Sequence, residues 1–312
     1  MCLEHSNIRK IIIVDKKQDF FYHNFMNCDI CPRNCKVNRE SQIGFCGQNE
    51  KVRISKVMFH HYEEPLISGK PNSKGSGAIF FTGCNLRCAF CQNFPISHGN
   101  KGKTISTKGL AKLFKKLEKK GALNINLVTP SHFSMQIIEA LNIYKPNIPI
   151  VWNSNGYETK ETIKKLKDYV DVYLVDLKYM DNELSKKYSK ATNYVENATE
   201  AIMQMKKNQP QDVIENNLIK KGLIIRHLIL PTHSNDSIKC LDFIHDKIGE
   251  DSIVSIMSQY EPRYKAKEYP EINRKITPLE YKRVVSHAIK LNMSNCFTQD
   301  LSSADSKYTP KF

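Results

Sequence analysis

Three cysteines, Cys84, Cys88 and Cys91, are gathered in the run Gly83-Cys84-Asn85-Leu86-Arg87-Cys88-Ala89-Phe90-Cys91-Gln92-Asn93, with Cys-x3-Cys-x2-Cys spacing. Thiolates are soft ligands that suit zinc and iron–sulfur clusters, and a structural zinc site is closed by four protein ligands. This run supplies three, with no well-spaced histidine beyond His98, so a metal centre held here keeps one coordination position open. An open position is where a substrate or cofactor meets a metal. A second set lies upstream: Cys28, Cys31, Cys35 and Cys46, spaced Cys-x2-Cys-x3-Cys-x10-Cys and bounded by Gly44 and Gly47. Four thiolates complete a tetrahedral set. The expectation there is a structural or electron-relay centre, zinc or a fully ligated cluster, that ties down a segment too short and polar to fold on its own core. Cys2, Cys240 and Cys296 stand apart, and Cys240 reads as a packing residue on an amphipathic helix.

The 312 residues are 40% hydrophobic and 25% charged, a globular composition long enough for one large domain or two ordinary ones. No run approaches the roughly 18 apolar residues of a membrane span, and the start has neither a long apolar core nor a small-residue cleavage site. The expectation is a cytoplasmic protein with no membrane partner, in a compartment where clustered cysteines mean metal ligation rather than disulfides. A net charge of +15 raises the question of a nucleic-acid partner. Lys112, Lys115, Lys116, Lys119 and Lys120 fall where a solvated helix face would put them, so a basic surface is expected rather than a groove.

The elements that must position the cysteines begin near residue 77, where short apolar runs alternate with segments of helical period. Six strands are predicted, at 78–83, 124–128, 148–153, 170–177, 223–230 and 252–257, each apolar enough to be covered on both faces. Leu110, Leu113, Phe114 and Leu117 mark one helix, and Ile238, Leu241, Phe243, Ile244 and Ile248 another, with Ser234 or Asp236 as its N-cap. Thr277-Pro278-Leu279-Glu280 starts a third, with threonine as cap and glutamate bonding back. Residues 208–222 read as a polar surface loop, and residues 1–27 and the tail after Phe297 as fraying ends without chemistry. The alternation implies a parallel sheet with right-handed crossovers, an open sheet or a barrel. The three-cysteine run then follows the first strand, at the carboxyl end where ligands sit in such folds. Polar ends on the later strands would face it: Thr129-Pro130-Ser131-His132, Asn153-Ser154-Asn155-Gly156, Asp176-Leu177-Lys178, Arg226-His227 and Gln259-Tyr260.

Cys84-x3-Cys88-x2-Cys91, with Phe90 before the last cysteine, resembles the signature of radical S-adenosylmethionine (SAM) enzymes. The resemblance implies a partial (β/α)6 barrel preceded here by an N-terminal Cys-rich metal-binding segment. It also implies a [4Fe-4S] cluster on three cysteines whose fourth iron is chelated by the amino and carboxylate groups of SAM, and reductive cleavage of SAM to a 5′-deoxyadenosyl radical. From Cys28 to the helix near residue 290 the chain is similar to the pyruvate formate-lyase activating enzyme group, and to a related subfamily that shares the Cys-x2-Cys-Pro-Arg-x-Cys segment. Shared pieces are Gly75-Ser76-Gly77-Ala78-Ile79-Phe80-Phe81, Cys91-Gln92-Asn93, Asn153-Ser154-Asn155-Gly156, Val175-Asp176-Leu177-Lys178 and Arg226-His227-Leu228-Ile229-Leu230-Pro231. By that resemblance Phe90, Asn153, Ser154, Asp176, Lys178 and Arg226 belong to the SAM site, with Asp176 and Lys178 by the SAM carboxylate and Arg226 reaching toward SAM. It further implies a protein substrate, a glycyl radical enzyme, and a reduced flavodoxin or ferredoxin-type electron donor.

The chain departs from that group where Gly-Gly-Glu would follow strand two, since Thr129-Pro130-Ser131-His132 stands there. Asn153 replaces an aspartate and Tyr260 a histidine, while His132, His227 and His233 read first as packing residues. The expected division is an N-terminal extension at 1–74, the barrel at 75–292 and a tail at 293–312. Two other readings are radical chemistry on RNA or a small metabolite, and a non-catalytic zinc-stabilised binding protein.

Overall fold

The computed structural model describes residues 27–299, so the ends expected to fray fall almost entirely outside the described residues, as does Cys2. Strand β1 (Arg53–His60) leads through Glu63 and Glu64 into a single-turn helix α1 (Pro65–Ser68) and then β2 (Ser76–Phe81). After the cysteine run come α2 (Phe94–Ser97), β3 (Lys103–Thr104), α3 (Thr107–Lys119), β4 (Ile125–Val128) and α4 (Ser134–Ile143). Then follow β5 (Ile150–Ser154), α5 (Lys160–Lys165), β6 (Val172–Asp176), α6 (Asn182–Ser189) and α7 (Tyr194–Asn208). The chain continues through β7 (Val213–Glu215), β8 (Leu218–Leu228), α8 (Ser234–Lys247), β9 (Ile253–Met257), α9 (Pro278–Lys290) and β10 (Cys296–Thr298).

The sheet order is β10-β9-β8-β6-β5-β4-β2-β1-β3, with β7 paired to β8 alone. Every pairing from β2 to β10 is parallel, and β1 runs antiparallel to both β2 and β3. The ends of this order do not pair, so the architecture is α/β, a partial barrel of six parallel strands with added edges. The edges carry the sheet past the expected barrel segment 75–292 on both sides, because β1 and β10 belong to it.

Successive strand residues point to opposite faces, and the two faces separate here. Ile79, Phe81, Leu127, Trp152, Tyr173 and Ile225 join the core under the helices. Val151, Val172, Leu174, Ile224 and Ile253 meet inside the barrel around Ile67 of α1, which is fully buried. Val172 and Ile253 open their strands and Val151 is second in its own, so α1 plugs the barrel toward its amino end. Asn124 holds the plug by donating from Nδ2 to Ile67 O at 2.8 Å.

Two expectations are corrected. Residues 208–222 are not a loop: Asn208 ends α7, and β7 and β8 form an antiparallel hairpin. Its turn, Asn216-Asn217, has φ of 52° and 60°, the left-handed pair that asparagine tolerates. The N-cap of α8 is His233, with Ser234 the first helical residue; Asp236 instead accepts from Met180 N at 3.1 Å and ties α8 to the loop after β6. The capping box at Thr277 and Glu280 is present, and Lys112, Lys115, Lys116, Lys119 and Lys120 are exposed. Among the described residues no helix is long and apolar enough to cross a membrane.

Candidate functional site

At the carboxyl ends of the strands lies a cavity of about 230 Å³ whose wall includes Cys84, Cys88, Cys91, Phe90, Thr129, Asn155, Asp176, Lys178, Arg226, Met257 and Gln259. The cysteine run reaches it by turning sharply out of β2 at Gly83, whose φ of 88° suits glycine. Backbone bonds then fix the run to its neighbours: Arg87 N donates to Ser189 O at 3.2 Å, Ala89 N to Tyr188 O at 2.7 Å, and Lys265 N to Ala89 O at 2.8 Å.

Each sulfur of the trio has a polar contact. Asn155 Nδ2 donates to Cys84 Sγ at 3.3 Å, Ser189 Oγ donates to Cys88 Sγ at 3.0 Å, and Cys91 Sγ lies 3.5 Å from Ser97 Oγ. Burial, with added repulsion between the sulfurs, pushes Cys84 up to about 11 and Cys91 up to about 12; burial raises Cys88 as well. Among the described residues no three His, Cys, Asp or Glu side chains could hold a metal ion as they stand. The trio nevertheless walls one cavity, with sulfurs close enough to repel one another. Thiols held protonated by burial give up their protons to water when a cation binds the sulfurs. Three soft donors facing one space, two of them already receiving a hydrogen bond, fit an iron–sulfur cluster held at three corners.

Beside the sulfurs runs a string of alternating charge. Lys178 Nζ meets Asp176 Oδ2 at 2.7 Å, and Arg226 Nε meets Asp176 Oδ1 at 2.8 Å. Arg226 also donates to Glu63 Oε2 at 3.0 Å and Asn153 Oδ1 at 2.7 Å. Glu63 Oε1 accepts from Asn153 Nδ2 at 3.1 Å and Asn126 Nδ2 at 3.2 Å. Burial opposes the Asp176 charge, but Arg226 and Lys178 overcome it and hold the carboxyl below its usual range. Burial likewise opposes Lys178 and Arg226, and the facing carboxylates hold both above theirs. Glu64, its Oε2 3.9 Å from Arg226, is pushed up by burial. All three side-chain nitrogens of Arg226 already donate within the protein, whereas the Lys178 ammonium has made one bond. An ammonium carries three donors, so Lys178 is the cation this string offers to an anion in the cavity.

Of the residues expected at the SAM site, the structure brings Phe90, Asp176, Lys178 and Arg226 to the cavity wall. Asn153 lies one layer deeper, behind Arg226. Ser154 faces the other way, because adjacent strand residues cannot both point into one lumen. Its hydroxyl donates to buried Glu158 Oε2 at 2.7 Å, beside Trp152 Nε1 and Ser131 Oγ on Oε1, both at 2.8 Å. Ser154→Ala should therefore cost about 1–3 kcal/mol, the penalty for a buried acceptor losing its partner. The urea midpoint should fall while SAM affinity is unchanged.

Sequence reasoning missed Glu63, Glu64 and Asn126. Two carboxylates in a polar run carry no mark of burial, and only Pro65 behind them, opening α1, hinted that the chain turns inward.

His132, His227 and His233 do not line the cavity. His132 Nε2 bonds Thr82 O at 2.8 Å, His227 Nδ1 bonds Leu177 O at 2.7 Å, and His233 meets Tyr188 Oη at 2.9 Å. Tyr260 donates to Ile272 O at 2.7 Å and packs its ring 5.7 Å from that of Phe90. Burial lowers His132 from 6.5 to about 3 and His227 from 6.5 to about 4. The unfolded chain then takes up protons that the folded chain refuses, so stability is complete above pH 6.5 and falls as pH drops through that window. Urea titrations should show the midpoint declining between pH 6.5 and 4, with a shallower decline in His132→Gln.

Cys28, Cys31, Cys35 and Cys46 lie outside the cavity, in a segment packed against the cysteine run. A Cβ on Gly83 would come within 2.5 Å of Cys46 O.

The chain is 36% identical over 294 residues to "Uncharacterized protein MJ0674" of Methanocaldococcus jannaschii, covering 90% of this chain and 80% of that one. It is 24% identical over 292 residues to "Uncharacterized protein MJ0808" of the same organism, covering 88% and 79%. Among solved structures, Streptococcus suis SuiB bound to S-adenosylmethionine aligns at a TM-score of 0.48 and 13% identity, over 70% of this chain and 48% of that one. Methylornithine synthase (PylB) aligns at 0.47 and 14%, over 69% and 68%. The chain thus spans about half the length of SuiB. A family profile described as "Radical SAM superfamily" matches residues 78–241, more than half of the chain, and takes in the cysteine run, Asp176, Lys178 and Arg226. By that match, this chain belongs to the radical SAM superfamily.

Proposed function

We propose that this radical SAM enzyme is an activase of the pyruvate formate-lyase activating type, which removes hydrogen from a glycine in a protein substrate. Cys84, Cys88 and Cys91 would hold the [4Fe-4S] cluster, and Lys178, steadied by Asp176, would pair with the SAM carboxylate. When bound, cluster and SAM together supply one-electron cleavage of a sulfonium and a radical able to take hydrogen from carbon. Phe90, Leu228 and Met257 give the cavity an apolar share of its wall, which limits the water that could quench such chemistry. Thr129 and Asn155 offer polar contacts where Gly-Gly-Glu is missing.

The observation that carries this reading is the filled lumen. Below Arg226 the barrel is occupied by Glu63, Asn126, Asn153 and the Ile67 plug. A small metabolite enclosed deep in the barrel would find no room there, whereas a loop of a larger substrate can be presented at the mouth. Phe94 and Tyr264 stack beside that mouth with ring centroids 4.9 Å apart. Reduced flavodoxin or a ferredoxin-type protein would supply the electron.

Anaerobic reconstitution should give dithionite-dependent 5′-deoxyadenosine, measured by mass spectrometry. Its absence with a fully loaded cluster would sink the enzymatic reading. When the protein, RNA and small-molecule fractions of a deuterated cell extract are each supplied with unlabelled SAM and reductant, the 5′-deoxyadenosine formed should carry deuterium taken from protein. Label taken from RNA or a small metabolite instead would overturn the activase assignment and favour the second radical reading, to which the +15 net charge lends support.

A further inference from the structure

The four upstream cysteines precede the residues that match the superfamily. Their backbone forms two facing turns. In the first, Cys28 N donates to Val37 O and Lys36 N to Cys28 O, both at 3.0 Å, and Asn34 and Lys36 take φ of 43° and 54°. In the second, Gly44 N donates to Gln48 O at 3.1 Å and Gly47 N to Gly44 O at 2.9 Å. The turns meet through sulfur. Phe45 N donates to Cys35 Sγ at 3.3 Å, and a Cβ on Gly44 would lie 3.6 Å from Cys35 Sγ and 3.7 Å from Cys46 Sγ. Cys28, Cys31 and Cys46 are buried, and all four thiols are free. They are not closed around an ion as they stand, but a change of rotamer relocates a cysteine sulfur without moving its backbone. A short polar segment that buries thiols in place of an apolar core is the composition of a metal-stabilised fold.

This segment is keyed to the radical-site run by arginines. Arg33, between Cys31 and Cys35, donates from Nε to Asn85 O at 2.7 Å, to Ser189 O at 3.3 Å, and also to Lys190 O. Its guanidinium lies 3.8 Å over the Phe45 ring. Arg87 of the radical-site run reaches back to Phe45 O at 2.6 Å. Ser189, whose carbonyl Arg33 holds, is the residue that donates to Cys88 Sγ. Fully buried Arg39 anchors the other side, donating to His132 O at 2.6 Å.

We propose that Cys28, Cys31, Cys35 and Cys46 bind a second thiophilic metal centre, zinc or a fully ligated iron–sulfur cluster. Four thiolates close it, leaving no position for substrate, and through Arg33 it sets the position of the radical-site run. Only this positioning role rests on the superfamily reading of Cys84, Cys88 and Cys91; the metal site stands without it.

The test starts from full-length chain purified without oxygen and analysed for iron, zinc and sulfide. A Cys84→Ala/Cys88→Ala/Cys91→Ala variant should keep one zinc, or the iron and sulfide of one cluster. A Cys28→Ala/Cys35→Ala variant should lose that metal. A triple variant without bound metal, or a double variant that keeps it, overturns the site. Where the double variant fails to fold, the triple variant alone decides, since it leaves the upstream segment intact. Arg33→Ala should retain both metals yet need at least about tenfold more SAM to shift the electron paramagnetic resonance signal of the reduced cluster, with Arg33→Lys recovering little of the loss. An unchanged SAM dependence overturns the positioning role and leaves the metal site standing.

Discussion

Cys88→Ala is expected to abolish 5′-deoxyadenosine formation, a loss of more than about 10³-fold given that enzymes accelerate their reactions by at least about 10⁶-fold. A cluster held at three corners cannot give one up and still keep its remaining iron for SAM. The chain itself should survive the change. The run around Cys88 is fixed by the bonds from Arg87 N and Ala89 N to the end of α6, none of which involves the sulfur. Iron content, product nucleoside and thermal melting, measured on one preparation, separate the outcomes. A cluster that persists with nucleoside formed at the native rate would end the assignment of this cysteine as a ligand.

Arg226→Met should lower stability by about 3–5 kcal/mol, the cost of removing one partner from a buried charged set. Asp176 and Glu63 would each lose a charged partner while staying buried. The deficit should depend on pH. In the native chain Asp176 titrates below its ordinary value, so its contribution is present above about pH 4 and lost only in stronger acid. Without Arg226 the Asp176 carboxyl loses the largest attraction that holds it down and takes up a proton more readily, so the variant's deficit should be largest near neutrality and shrink as the pH falls. Urea unfolding of both proteins across that range checks the sign. Adding Glu63→Gln to Arg226→Met should recover part of the loss, because a neutral amide tolerates burial better than an unpaired carboxylate. A deficit independent of pH would contradict the charge string.

What could be read from the sequence follows how local each feature is. The cysteine trio is visible because its spacing lies within one loop, and the six parallel strands because burial on both faces leaves continuous apolar runs. Strand β1, Arg-Ile-Ser-Lys-Val-Met-Phe-His, mixes polar and apolar residues because β3 flanks it only at Arg53 and Ile54, and β3 is too short to leave a pattern. Asn153 and Ser154 stand next to each other in one shared motif, yet strand geometry sends one toward Arg226 and the other toward Glu158. Glu63 meets Arg226 across 163 positions of chain, which no local pattern records.

The inner stopper at Ile67 and the negative partner at Glu63 both come from a stretch that precedes the profile-matched portion. Trimming the polypeptide to that portion would leave a tube drained at its base, with a guanidinium stranded against entering solvent. Any minimal catalytic version of this molecule has to begin upstream of residue 53, where the chain first joins the sheet that it later threads and seals.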